Sequence, residues 1–381
     1  MMEEFNIWDL NRVNIKINLN FLDKINKKII MKFQTKRAAY NYIFKSEKIP
    51  FSSFKNLLKK SHAKRFFVPL DIYLDIIEIL EISKENLQQN IISYKTAGGI
   101  NYIENPILPI KITPMFDMLL AHHIADGTVI DPKKGRLPYF GYRQFNKFYR
   151  IQYVKKLEEV FGKIKYKEDY FEKSTRPYCP SVLSSLFFKY YKLDNKGFLS
   201  EKARIPKVIF DKGKESILSV LVAFIIDEGN IDSTQITIHL KNKFLIKDLC
   251  NICERLNYVY KFTDDSKNEN NYFKLHILRE GMEKLYEDYL LLHSLYPVVD
   301  LGWKGEKINK SFKIFNRKIF KSKGNKKLIY LKLKDEDLSV NQLADMINMT
   351  RQGVRFHIHN LLKEDKIKII NNKQLNWIYG I

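Results

Sequence analysis

Two acidic residues, Asp126 and Glu228, stand where chemistry is most readily placed in this chain. The first closes the segment Leu119-Leu120-Ala121-His122-His123-Ile124-Ala125-Asp126-Gly127. The second closes Leu221-Val222-Ala223-Phe224-Ile225-Ile226-Asp227-Glu228-Gly229, 102 residues further on. Each segment reads as an apolar helix that ends in a carboxylate followed by glycine. A helix C-terminus carries partial negative charge, so an acidic residue there is disfavoured by about 0.3–1 kcal/mol. Two such helices packed side by side would bring Asp126 and Glu228 together, and like charges repel further. Divalent cations bridging both carboxylates relieve the repulsion, and that arrangement suits phosphodiester hydrolysis, where metal ions activate water and stabilise the leaving oxygen. Oxygen ligands that leave room for metal-bound waters point to Mg2+, with Mn2+ as its substitute. Gly127 and Gly229 would let the backbone leave each helix for the strand that follows.

The elements around these residues repeat as well. Thr113-Pro114 marks a helix start ahead of the first copy. Each copy is followed by a hairpin and then by an Asn-Lys pair opening an amphipathic helix, Asn146-Lys147 and Asn242-Lys243. Thr237 and His239 alternate with Ile236, Ile238 and Leu240, the pattern of a half-buried strand. Tyr272 to Leu278 reads as another strand before a last helix. Each half is therefore helix, hairpin, helix, one or two strands, helix, with halves at about 108–200 and 201–300.

On these residues the region 108–300 resembles the LAGLIDADG homing endonucleases in their single-chain, two-motif form. Asp126 and Glu228 match the penultimate acidic position that binds metal in the family, and Gly127 and Gly229 match its final glycine. Ala121, Ala125 and Ala223 stand where small residues let the two helices approach closely. The sixth motif position, often Asp in the family, is Ile124 and Ile226 here. Asp227 takes a position that is usually small, although the ending Asp-Glu-Gly is a familiar variant. The resemblance implies an α+β fold of two pseudo-symmetric αββαββα halves, with a saddle of strands over the major groove of double-stranded DNA. It further implies metal-dependent cutting of both strands at a long site, with Asp126 and Glu228 as metal ligands. Basic or amide side chains assist the attacking water in the family, which makes Arg143 and His239, each three residues before its Asn-Lys pair, candidates for that role or for base contacts. Lys202-Ala203-Arg204-Ile205-Pro206 is similar to the segment carrying a catalytic lysine in some members, so Lys202 or Arg204 could assist.

Composition agrees with a polyanionic partner. The chain has 381 residues with 66 Lys plus Arg against 43 Asp plus Glu, a net charge of +23, and such an excess needs neutralising. A hydrophobic fraction of 45% suffices for real cores and argues against wholesale disorder. No apolar run approaches the roughly 20 residues of a membrane span, so no membrane partner is expected. Met1-Met2-Glu3-Glu4 lacks the order of a secretory signal. Three cysteines make no disulfide framework, and Cys250-Asn251-Ile252-Cys253 reads as two core residues of a helix rather than a zinc pair. A cytoplasmic, nucleoid-associated protein is expected, monomeric because both motifs lie in one chain. It is read as free-standing rather than intein-borne, with Met1 at its start and Tyr379-Gly380-Ile381 at its end.

The flanks read as DNA-binding modules. Residues 1–107 are read as mostly helical, with segments Ala38–Phe44, Ser52–Lys60 and Leu70–Leu80, Ser52-Ser53 as a cap, and a basic centre of Lys55, Lys59, Lys60, Lys64 and Arg65. That suits a helix-turn-helix. Asn105-Pro106-Ile107-Leu108-Pro109 reads as the boundary to the centre. Residues 301–326 form a basic linker or helix, with Ile308, Phe312, Phe315 and Ile319 as its apolar stripe. Residues 327–381 read as a winged helix. Ser339 and Gln342 would form a capping box, Arg351 to Leu362 the recognition helix presenting Arg351, Gln352, Arg355 and His359, and Ile367 to Leu375 a wing turning at Asn371-Asn372. The rival reading is a transcription regulator of the WhiA type, which keeps the nuclease fold for DNA recognition alone. An RNA maturase on the same scaffold is less favoured, because winged helices usually read duplex DNA.

Overall fold

The computed structural model describes residues 3–44, 48–130, 137–166, 175–193, 203–266, 272–315, 322–371 and 377–381, and the fold is α+β throughout. The N-terminal region runs β1 (Glu4–Phe5), β2 (Val13–Ile17), α1 (Leu19–Phe33), α2 (Lys36–Phe44), α3 (Phe51–Leu57), α4 (Lys60–Arg65), β3 (Val68–Pro69), α5 (Leu70–Ile79), α6 (Lys84–Gln89), β4 (Ile91–Thr96) and β5 (Tyr102–Pro106). To the expected helices the structure thus adds strands. Val13, Ile15 and Ile17 are buried while Asn14 and Lys16 face out, a period of two that a helical reading passes over. The helix expected over Ser52–Lys60 is two short ones broken at Leu58–Lys59. Its N-cap is Pro50, so Ser52 and Ser53 lie inside the first turn instead of capping it.

The first half follows as β6 (Ile110–Lys111), α7 (Pro114–Ala125), β7 (Gly127–Ile130), β8 (Tyr139–Tyr142), α8 (Lys147–Phe161), β9 (Gly162–Lys165) and α9 (Ser181–Tyr191). After α10 (Lys207–Phe210), the second half is α11 (Lys214–Glu228), β10 (Gly229–Ile231), β11 (Gln235–Leu240), α12 (Lys243–Arg255), β12 (Tyr260–Asp265), β13 (Tyr272–Leu278) and α13 (Arg279–Leu295). Both Asn-Lys pairs open helices as read. The Asn146 side chain accepts from the Phe148 amide and that of Asn242 from the Leu245 amide, each satisfying a donor that the first turn leaves free.

The second half carries an antiparallel sheet in the order β10-β11-β13-β12. Ile236, Ile238, Leu275 and Ile277 point into the core, and Thr237, His239, Lys274 and His276 line the opposite face in register. The first half departs from this plan. β7 pairs with β8, and residues 175–179 run along β8 through Tyr142 N to Pro177 O (2.9 Å) and Cys179 N to Phe140 O (2.8 Å). Strand β9 instead joins β5, completing a five-stranded sheet β3-β2-β4-β5-β9 with the N-terminal region. Residues 105–109 therefore mark no break in the structure: the sheet crosses them, and one core of buried side chains extends from Phe5 to Ile308.

Helix α14 (Trp303–Phe315) packs back on the second half, with Ile308 fully buried and Phe312 partly so; Ile319 lies outside the described residues. The C-terminal region has its own core, built by α15 (Ser322–Asp335), β14 (Leu338–Ser339), α16 (Val340–Met346), α17 (Arg351–Lys363), β15 (Lys368–Asn371) and β16 (Ile378–Gly380). The Ser339–Gln342 capping box forms as read. The second wing strand lies later than read, at Ile378–Gly380, and the turn between the strands falls outside the described residues. Cys250 and Cys253 are buried, unbridged residues of α12.

Candidate active site

Helices α7 and α11 pack on each other more extensively than any other described helix pair. They run in the same direction. Ser219 Oγ donates to Pro114 O (2.8 Å) near their N-termini, and His122 meets Asp227 near their C-termini. Both are apolar on nearly every side, as helices must be when buried all round. Asp126 and Glu228 thus end up at the same end of the pair, both partly open to solvent.

Their electrostatics follow from that placement. Burial first, and Asp227 second, raise the Asp126 carboxyl to about 7. Burial, then Asp126 and Asp227, raise Glu228 to about 7. Each of the two therefore holds a proton more tightly than an exposed carboxyl, in part because the other acids crowd it. Gly127 and Gly229 serve the packing rather than a left-handed turn. Gly229 has φ −72° and ψ 127°, an extended conformation open to any residue. A Cβ there would sit 2.5 Å from the Ile225 carbonyl oxygen, and one on Gly127 would sit 2.0 Å from that of His123.

A cation reaches the same end from outside the repeat. Lys304, in the first turn of α14 and only 5% exposed, donates from Nζ to Ile225 O (2.8 Å) and Ile226 O (2.7 Å), the last carbonyls of α11. Burial lowers its ammonium to about 8, against the opposing pull of Asp227, Glu228 and Asp126. It caps a helix end that is negative by its dipole and offsets the acids around it. Sequence reasoning passed over Lys304, although the 102-residue offset between the two motif glycines also separates Lys202 from Lys304.

Behind the open carboxylates lies a buried polar chain. Asp227 accepts from Tyr142 OH (2.6 Å) and from His122 Nδ1 (2.8 Å), and Lys156 Nζ lies 2.9 Å from His122 Nε2. An ammonium can only donate, so Nε2 is the acceptor and the imidazole proton sits on Nδ1, facing the carboxylate. Burial first, and Lys156 second, hold His122 well below its ordinary pKa, so it is neutral. Asp227 is thereby turned inward, away from the open end that Asp126 and Glu228 share. His122 of the first motif helix and Asp227 of the second are thus partners.

The remaining expected residues fall as follows. Arg143 stands beside Asp126: its amide donates to Asp126 O (2.9 Å), and its charge lowers the proton affinity of that carboxyl. His239 is exposed on the outer face of β11, edge-on to Tyr272 at 5.3 Å. Arg204 turns to α12, where Nε and Nη2 bond the Asp248 carboxylate at 2.7 and 2.5 Å. Lys202 lies outside the described residues. Arg351, Gln352, Arg355 and His359 are all exposed on α17, opposite the buried Val354, Ile358 and Leu361.

No protein-family profile and no curated protein match the sequence. Among solved structures, one from a study of mesophilic variants of the homing endonuclease I-DmoI is similar over 45% of this chain and 93% of its own, at 14% identity and a TM-score of 0.33.

Proposed function

We propose that this protein is a DNA endonuclease that hydrolyses phosphodiesters with a divalent metal held by Asp126 and Glu228. The observation that carries this reading is the convergence of two proton-retaining carboxylates, from two like helices, at one partly open end of the pair. The donor set fits Mg2+. Both donors are hard oxygens, carried to one partly open end of the helix pair. Mg2+ is commonly held by one or two carboxylates, with substrate phosphates and water as its other ligands. Bound there, the ion would lower the pKa of an attacking water and stabilise the leaving oxygen.

The chain's own residues prepare that site. Lys304 holds the end of α11 and keeps the acids from repelling one another unopposed. Arg143 lies where it can meet a phosphate next to Asp126. The outward rows Thr237, His239, Lys274 and His276 offer donors to duplex DNA, and the exposed face of α17 offers Arg351, Gln352, Arg355 and His359 to a groove. A regulator that only binds DNA remains the rival, favoured by the exposed α17 face. Such a protein gains nothing from crowding two carboxylates at a solvent-facing helix end.

Incubation of a randomised plasmid library with Mg2+ or Mn2+, comparing the native chain with Asp126→Asn, tests the reading. Discrete double-strand cuts that vanish in the variant while binding is kept are expected. Salt-sensitive binding without any cleavage by the native chain would assign the protein to the regulators.

A further inference from the structure

We infer that the outer face of the five-stranded sheet β3-β2-β4-β5-β9 is a second duplex-DNA surface, which carries the phosphate backbone beyond the first half of the repeat. The inference rests on the reading of the protein as a DNA-binding enzyme and assigns part of its footprint to the N-terminal region. The register sets two rows of side chains across this face. One row is Lys16, the buried Ser93, Glu104 and Lys163; the other is Pro69, Asn14, Lys95, Tyr102 and Lys165. Four lysines thus face one glutamate, and Glu104 is already paired with Lys165 at 3.2 Å. The opposite face, with Val13, Ile15, Tyr94, Ile103 and Ile164, is buried.

The lysines are held in place. The ammonium groups of Lys16 and Lys95 lie 4.7 and 4.9 Å from the centre of the same ring, Phe67, which itself abuts Tyr102 at 5.4 Å. Lys16 Nζ also donates to Lys64 O (3.1 Å), and Lys95 Nζ to Gly99 O (2.9 Å). The exposed Lys64 and Arg65 at the end of α4 stand just before Phe67 and add to the charge. The partners of Lys16 and Lys95 there are neutral carbonyls and an aromatic ring, so their positive charge is held in place and left for a phosphate chain.

The sheet adjoins the first half of the repeat through α9. That helix backs β4, where Val182 N donates to Thr96 Oγ (2.9 Å), and it backs β8, where Phe140 lies against Phe187 and Phe188. Thr96 and Phe140 both point to the core side of their strands. The two sheets thus share one backing helix, and on this inference a duplex lying over β7 and β8 continues across β4 and β2.

The test uses the full chain and a long duplex of random sequence, with affinity measured as a function of salt. Each lysine that meets a phosphate contributes about 0.9 to the slope of log K against log salt. The variant carrying Lys16→Gln, Lys95→Gln and Lys163→Gln should therefore lose up to about 2.7 of that slope and keep its affinity for a duplex too short to reach past the first half. Lys163→Gln alone, at an exposed position, should lose about 0.9 and guards against misfolding of the triple variant. A native slope retained by both variants would overturn the inference while leaving the enzyme reading intact. Salt-independent or absent binding by the native chain would overturn both. A native dimer that both variants convert to monomer, seen by light scattering, would assign the face to a second copy of the chain and overturn the inference.

Discussion

Asp126 and Glu228 were legible as a pair because their signal is carried by type and position alone: an acid, then a glycine, twice, after apolar helices. What surrounds them was not. His122 and Asp227 meet only because α7 and α11 have a particular rotational phase, which no spacing within either helix reveals. Lys304 lies beyond the last element of the repeat, so its link to α11 depends on how α14 folds back. The acids carry a pH prediction. Their ordinary values are 3.8 and 4.5, and both rise to about 7 in the folded chain. Between these values the folded protein binds protons that the unfolded chain has released, so stability falls as pH rises through the window. Lys304, lowered to about 8, titrates above it. Melting curves in chelator should therefore show Tm dropping between about pH 5 and pH 7.5. A chain carrying Asp126→Asn and Glu228→Gln should show a flatter profile and a higher Tm at the upper end. Mg2+ should raise the native Tm at the upper end and leave that variant unmoved.

At the scale of elements, the helix starts were readable and the sheet partners were not. Asn146, Asn242 and Ser339 each cap a helix through the side chain, and Pro114 opens α7 after Thr113, because helix starts of this kind are a local matter. Strand pairing is settled by which edges meet in space, so the reading of residues 1–107 as helical passed over β2, β4 and β5, and β9 could not be assigned to the N-terminal sheet in advance. The glycines that end the motif helices were found for an incomplete reason. They are needed where a side chain would strike the last-turn carbonyl, and at Gly229 that carbonyl belongs to Ile225, which also accepts from Lys304. Gly229→Ala should therefore displace both the strand and the lysine, costing about 2 kcal/mol in urea unfolding. Alanine at Gly98, where a Cβ meets nothing within 4 Å, separates that clash from the cost of its positive φ of 76°.

For the whole molecule, the packing divides the chain differently from its composition. One core runs through the N-terminal region, both halves and α14, while the C-terminal region keeps a separate core of Ile329, Leu333, Leu343, Val354, Ile358 and Leu361. A fragment spanning 322–381 should fold by itself, giving a cooperative melt and dispersed amide resonances. Collapse to a disordered spectrum would show that it needs the rest of the chain. The other end has no such independence. Strand β9 belongs by sequence to the first half and by pairing to the N-terminal sheet. Here the first half's edge is sealed by its neighbour upstream, so trimming the chain at residue 107 would open a row of unpaired amides and carbonyls in the middle of the protein, ready to recruit another chain. The boundary that the prolines at 106 and 109 announce is thus a seam that the sheet bridges, and a smaller folded version of this protein has to be sought by shortening its C-terminal end.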